Sequence, residues 1–172
     1  MLAIALCASA GTALAQSAPA TQLTTVKDWT AWKGTDATGP ICYISSVPTK
    51  SEPTTVDGVA IKRGQPSFLI LHRTALKIRN EAQSLVGYPL DMNKPITATI
   101  DGKTYTMVTE PAAIEVAWLA VEADQPTFVE AMKAGTTLVV KGTSQKGRTL
   151  TDTYSLSGVT AAMDAINAAC PA

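Results

Sequence analysis

Histidine occurs once in the 172 residues, at His72, and phenylalanine only twice. A single imidazole cannot build a zinc centre without further ligands, and no carboxylates gather around His72 or a cysteine at ligand spacing. No metal and no cofactor is expected. His72 has no serine or cysteine at a recognisable nucleophile elbow, so Ser/His/Asp chemistry has no starting point and a strand-end histidine is the plainer reading. An excess of charge of either sign is also missing, with 14 basic and 14 acidic residues. That balance argues against nucleic acid and against strong attraction to anionic membranes. Beyond Ala15 no apolar run approaches the roughly 20 residues needed to cross a bilayer. With the catalytic inventory empty, the chain is expected not to be an enzyme.

Residues Leu2 to Ala15 are apolar or small and end in Ala13-Leu14-Ala15 before Gln16, the pattern read by signal peptidase, although no Lys or Arg precedes the run. Residues 1–15 are read as a secretory signal, with a buried N-terminal helix as the alternative. Gln16 to Thr25, rich in Ala, Ser, Thr and Gln, reads as a flexible lead-in. Residues 26–172 are then one extracytoplasmic domain. Of the three cysteines, Cys7 lies in the leader, which leaves Cys42 and Cys170. In an oxidising compartment such a pair reads as a disulfide, two free buried thiols being the alternative. Closing so long a loop would stabilise the fold by up to about 5 kcal/mol on the chain-entropy model.

The domain reads as short strands between turn signals. Trp29 to Trp32 and Ile41 to Val47 come first, joined through Gly34, Gly39 and Pro40; Pro48 to Asp57 reads as a loop and Ser67 to Leu71 as an apolar strand. Ile96 to Val108 is a hairpin turning at Asp101-Gly102. Counting outward from that turn sets Ile100 against Lys103, Ala98 against Tyr105 and Ile96 against Met107 on a buried face, with Thr97, Thr99, Thr104 and Thr106 on the solvated one. Thr137 to Gly142 and Leu150 to Leu156 form another hairpin, with Leu150, Tyr154 and Leu156 alternating with Thr151, Thr153 and Ser155. Pro126 to Ala134 reads as a helix stopped by Gly135. Val159, Met163, Ile166 and Cys170 share one face of a C-terminal helix, which points Cys170 inward. The pattern implies a mainly antiparallel β-sandwich or barrel with two short helices.

Gly142-Thr143-Ser144-Gln145-Lys146-Gly147-Arg148-Thr149 departs from a phosphate-binding loop only at Arg148. A phosphate loop must open a helix, however, and this segment opens a strand. Lys146 and Arg148 are expected at an exposed hairpin tip. Lys62, Arg63, Arg73, Lys77 and Arg79 run without a carboxylate among them, either as solvated positions or as a basic docking face. Trp118 reads as core. Trp29 and Trp32 must face opposite ways on one strand, and an exposed one would be a partner contact.

Taken in order, Trp32, Cys42-Tyr43, Pro48, Arg79-Asn80-Glu81, Gly87-Tyr88-Pro89-Leu90, Ala117-Trp118, Ala131-Met132-Lys133-Ala134-Gly135, Val140 to Ser144, Asp152 to Gly158 and Cys170 resemble the invasion-associated locus B family of alphaproteobacterial envelope proteins. Lys146 stands where Arg is common, and Ile114-Glu115-Val116 replaces a Gly/Asp turn, which changes the expected loop shape. The resemblance implies a periplasmic or secreted β-sandwich of immunoglobulin-like architecture, a disulfide from Cys42 to Cys170, and no catalytic residues to transfer. Together with the secretion signal and the empty catalytic inventory it points to a non-enzymatic binding protein of the envelope with a protein or cell-surface partner, in the setting of host-cell invasion or surface interaction; the candidate contacts, read from the residues themselves, are Lys146, Arg148 and Trp32. A periplasmic small-ligand binder or hydrolase is the alternative, and a structural or stress-protective envelope component is a third.

Overall fold

Asp101 and Gly102 both take positive φ, 44° and 92°, the backbone of a type I′ turn that matches the twist of the strands it joins. The register follows as counted, with Ile100 opposite Lys103, Ala98 opposite Tyr105 and Ile96 opposite Met107. The Ile/Ala/Tyr/Met face is buried. Asp101 also ties the turn to a neighbouring strand, because its carboxylate accepts from the backbone N–H groups of Thr136 and Thr137 at 2.8 and 3.1 Å. These bonds hold it below the usual carboxylate range.

The structure, a computed structural model, describes residues 19–171; the signal segment 1–15 and Cys7 lie outside the described residues. The strands are β1 (Thr21–Val26), β2 (Trp29–Asp36), β3 (Gly39–Ser46), β4 (Lys50–Glu52), β5 (Thr55–Val56), β6 (Val59–Ala60), β7 (Ser67–Arg73), β8 (Ile78–Leu85), β9 (Ile96–Ile100), β10 (Lys103–Val108), β11 (Val116–Leu119), β12 (Thr137–Thr143) and β13 (Thr149–Ser155). The helices are α1 (Gln125–Ala134) and α2 (Val159–Ala169). All strands but β5 and β6 join one sheet in the order β1-β2-β3-β7-β8-β11-β10-β9-β12-β13-β4, and its ladders are antiparallel.

This sheet folds over itself. Phe68 on β7 meets Tyr154 on β13 edge-on at 5.9 Å between centroids, and the Trp29 indole N–H on β2 donates to the Ser155 carbonyl at 2.9 Å. The expected antiparallel sandwich with two short helices, one of them C-terminal, is therefore the architecture present. Its layers stay joined by the β8–β11 ladder. α1 inserts Phe128 between Phe68 and Tyr105, at 5.8 and 4.9 Å. α2 lies against β1, β2 and β3, burying Val159, Met163 and Ile166.

The disulfide joins Cys42 on β3 to Cys170 just beyond α2, with Cα atoms 6.0 Å apart, the usual Cα span of a disulfide. Three expectations need correction. Thr21 to Val26 are an edge strand on β2, so the lead-in does not extend to Thr25; the two apolar residues there, Leu23 and Val26, are three apart and give no strand alternation. Pro48 to Asp57 contains β4 and β5. Trp118 is half-buried rather than core, because Ala117 and Leu119 take the inner positions of β11.

Candidate functional site

The β12–β13 hairpin ends in a tip closed by Gly147 N–H to the Ser144 carbonyl and Ser144 N–H to the Arg148 carbonyl, both at 2.8 Å. The expected hairpin is present, and Lys146 and Arg148 are exposed on it. Backbone bonds fasten the tip to the segment after β8: Gln145 N–H donates to the Pro89 carbonyl at 2.9 Å and Asp91 N–H to Thr143 at 2.8 Å. That segment is held from behind by the Ile114 and Glu115 carbonyls, which accept from Leu90 and Val86 at 2.8 and 2.9 Å. The Ile114-Glu115-Val116 departure thus contributes through backbone carbonyls. A third wall, Ile61 to Gly64, is tied in by Gly64 N–H to the Gly87 carbonyl at 2.8 Å.

Between the three walls is a groove of about 610 Å³. Its apolar lining includes Ile61, Tyr88, Pro89 and Leu150; its cations are Lys62, Arg63, Lys146 and Arg148. Gly142, buried behind the floor, leaves room for the side chains packed there, since a Cβ would stand 2.7 Å from a Leu90 methyl and 3.2 Å from the Tyr88 hydroxyl.

Arg63 differs from the other three cations. Its side chain is 10% exposed and pairs with Asp152, 3% exposed, on the inner side of β13. Nη1 donates to Asp152 Oδ2 at 2.8 Å and to the Val86 carbonyl at 3.2 Å, and Nη2 donates to Ser51 Oγ at 2.8 Å and to Asp152 Oδ1. The Ser51 hydroxyl donates to Asp152 at 2.6 Å. Hydrogen bonding to Asp152 raises the guanidinium pKa further. Burial pushes the Tyr88 hydroxyl up to about 12, with the Asp152 charge adding to it; burial raises Tyr154 as well. Both phenols stay protonated, and Arg63 sits 5.9 Å from the Tyr88 ring, a cation–π arrangement. Lys62, Lys146 and Arg148 are exposed and form no ion pair among the described residues.

The basic run from Lys62 to Arg79 does not form one docking face. Arg73 pairs with Asp36 and Glu81, and Arg79 donates to the Cys170 carbonyl at 3.0 Å and to Asn167 Oδ1 at 2.8 Å. Lys62 and Arg63 alone of the five line the groove.

His72 is fully buried, directly opposite Cys42 in the β3–β7 ladder. Its Nδ1 accepts from the Asn80 N–H at 3.2 Å, which places the proton on Nε2, 2.9 Å from Asn167 Oδ1. Burial lowers its pKa and the Arg79 charge lowers it further, so the ring is a neutral tie between β7, β8 and α2. No substrate can reach it. Among the described residues no three His, Cys, Asp or Glu side chains gather into a metal-holding group.

Trp32 faces outward, half-buried, stacked on Tyr43 at 6.2 Å and 17° between planes. Its indole N–H donates to Ser45 Oγ at 3.0 Å. It lines a separate depression of about 420 Å³ with Thr30, Tyr43, Val47 and Leu69. The three expected contacts are therefore not brought together: Lys146 and Arg148 share the groove, whereas Trp32 stands apart. Sequence reasoning missed Asp152, yet it occupies an even position between Leu150 and Tyr154, where a lone carboxylate on a buried face demands a cation.

The described residues form an antiparallel β-sandwich with a Cys42–Cys170 disulfide and an open groove carrying four cations. The chain belongs to the invasion associated locus B (IalB) family, whose profile matches residues 29–167. No curated protein sequence matches it. The crystal structure of invasion associated protein B from Bartonella henselae is similar in fold, at 15% identity and a TM-score of 0.53, covering 87% of this chain and 97% of that one.

Proposed function

We propose that this chain is a non-enzymatic binding protein of the cell envelope, periplasmic or secreted, that contacts a protein or cell-surface partner through the groove and the β12–β13 tip. The observation that carries the reading is the contrast among the groove's cations: Arg63 is neutralised by Asp152, while Lys62, Lys146 and Arg148 stand unpaired over an apolar floor. Exposed, unpaired cations beside buried apolar surface contribute little to a fold and are what an anionic partner requires. The leader-like segment and the family support an extracytoplasmic setting, and the family's name supports surface interaction, host-cell entry included. A hydrolase draws no support from His72, which is enclosed and hydrogen-bonded on both nitrogens.

The test is affinity capture from envelope extract with wild-type protein and with the Lys146→Glu/Arg148→Glu variant, the eluates being analysed for protein and for extractable lipid. The wild type is expected to retain a specific component that the variant loses. Nothing retained by either, or equal retention by both, would overturn the reading.

A further inference from the structure

We infer that the groove takes one amphiphilic anion, a molecule with a phosphate or carboxylate head on an apolar body. This rests on the groove being the contact site and narrows the partner to a chemical class. The lining has two kinds of surface: Ile61, Tyr88, Pro89 and Leu150 offer an apolar floor, and Lys62 and the Lys146/Arg148 tip stand on different walls. A purely ionic ligand would leave the floor wet, and a neutral apolar one would leave the cations without counter-charge. A volume of about 610 Å³ lies within the few hundred to about 1,000 Å³ usual for small-molecule sites.

An acidic protein segment fits less well. Recognition by strand addition needs a free row of backbone donors and acceptors, and four N–H groups of the walls are already used: Gly64 and Gln145 between walls, to Gly87 and Pro89, Ser144 within the tip, to Arg148, and Ile61 to Thr54. What remains for a ligand is side-chain charge and apolar area. Tyr88 and Arg63 are engaged as well, through the Gly142 carbonyl at 3.2 Å and the Asp152 carboxylate. The head must therefore be held by Lys62, Lys146 and Arg148, and the body by the floor. A groove of this volume, walled by three segments, takes a single molecule, and the vesicle arm below tests this against attachment to a membrane surface.

The head could come from a free metabolite or from a membrane lipid, and a titration series separates these sources. Dodecyl phosphate, dodecanoate, neutral dodecyl maltoside and inorganic phosphate are each titrated, below micelle concentrations, into the full chain and into Lys146→Glu/Arg148→Glu. Vesicles with and without anionic phospholipid form the last arm. One-to-one binding of the two anionic amphiphiles is expected, with the maltoside and inorganic phosphate weaker by about tenfold or more. The double variant should bind the anionic amphiphiles about tenfold or more weakly. Raised salt should weaken the wild type. Depletion of anionic phospholipid from vesicles into the soluble fraction would support a lipid source, and binding of free amphiphile without such extraction a metabolite source.

Equal affinity for the maltoside, an unchanged double variant, or attachment only to intact anionic vesicles would overturn the inference. Lys62→Glu, on another wall, provides a second variant with the same expected loss. If no amphiphile binds but affinity capture retains a protein that the double variant loses, the ligand class fails and the binding reading stands. If both experiments return nothing, both fall.

Discussion

β8 runs between two regions that use the same kind of side chain to opposite ends. At Arg79 it enters a clasp in which the guanidinium, the His72 imidazole and Asn167 satisfy one another beside the Cys42–Cys170 disulfide. Past Leu85 the chain reaches Gly87, the wall of a groove where Lys62, Lys146 and Arg148 are left unpaired. The clasp satisfies its polar groups internally and fixes α2 to the sheet. The groove leaves its cations open to a ligand. Stability should therefore be concentrated at one end of β8 and binding at the other.

The sharpest way to break that division is at the disulfide. Cys42 and Cys170 are 128 residues apart, and replacing both by serine should cost about 4 to 5 kcal/mol on the chain-entropy model, measured by denaturant unfolding, while the fraction still folded keeps its groove affinity. An unchanged midpoint would show that the clasp holds without its covalent part. Asp152→Ala comes next: it strands the buried Arg63 charge and should destabilise by about 3 to 5 kcal/mol. It probes the one place where the division blurs, since Arg63 lines the groove and is also part of the interior.

His72→Ala should cost about 1 to 3 kcal/mol by leaving the Asn80 N–H and part of Asn167 without a partner. It should also remove an acid sensitivity. Because burial depresses the folded pKa of His72, below about pH 6.5 the unfolded chain binds a proton that the native one refuses. Stability is thus full above that pH and is lost as pH falls towards the folded pKa. His72 is the only histidine, so the wild type should lose melting temperature as pH falls from about 6.5 towards 5 and the variant markedly less. Smallest of all, Lys146→Ala and Arg148→Ala should each move stability by less than about 0.5 kcal/mol while weakening capture. A large unfolding effect there would mean that the tip is part of the scaffold.

Of the clasp the cysteine pair and the helix face were legible in the sequence, while the contacts among Arg79, His72 and Asn167 were not, and little of the groove was, for a physical reason. The Asp101-Gly102 turn fixes register locally, and the spacing of Val159, Met163, Ile166 and Cys170 fixes a helix face, so both could be counted out residue by residue. The exposure of Lys146 and Arg148 followed from the polar tip between two strands. The groove is assembled from three loops far apart in the chain, none of which carries a periodic signal. Asp152 could have been found by parity, but its partner could not: nothing around Arg63 marks it as different from Lys62, and only the packing of Ile61 to Gly64 against Gly87 separates them. Trp118 misled because a tryptophan in an apolar run suggests core, whereas the inner positions of that short strand accept Ala117 and Leu119.

Backbone amide shifts recorded by NMR during titration with dodecyl phosphate test the central claim most directly. The account predicts saturable shifts at Ile61 to Gly64, Gly87, Tyr88 and Gln145 to Thr149, with the amides of His72, Asn167 and Cys170 unmoved. Shifts centred on Trp32 and Tyr43, or on the clasp, would contradict it.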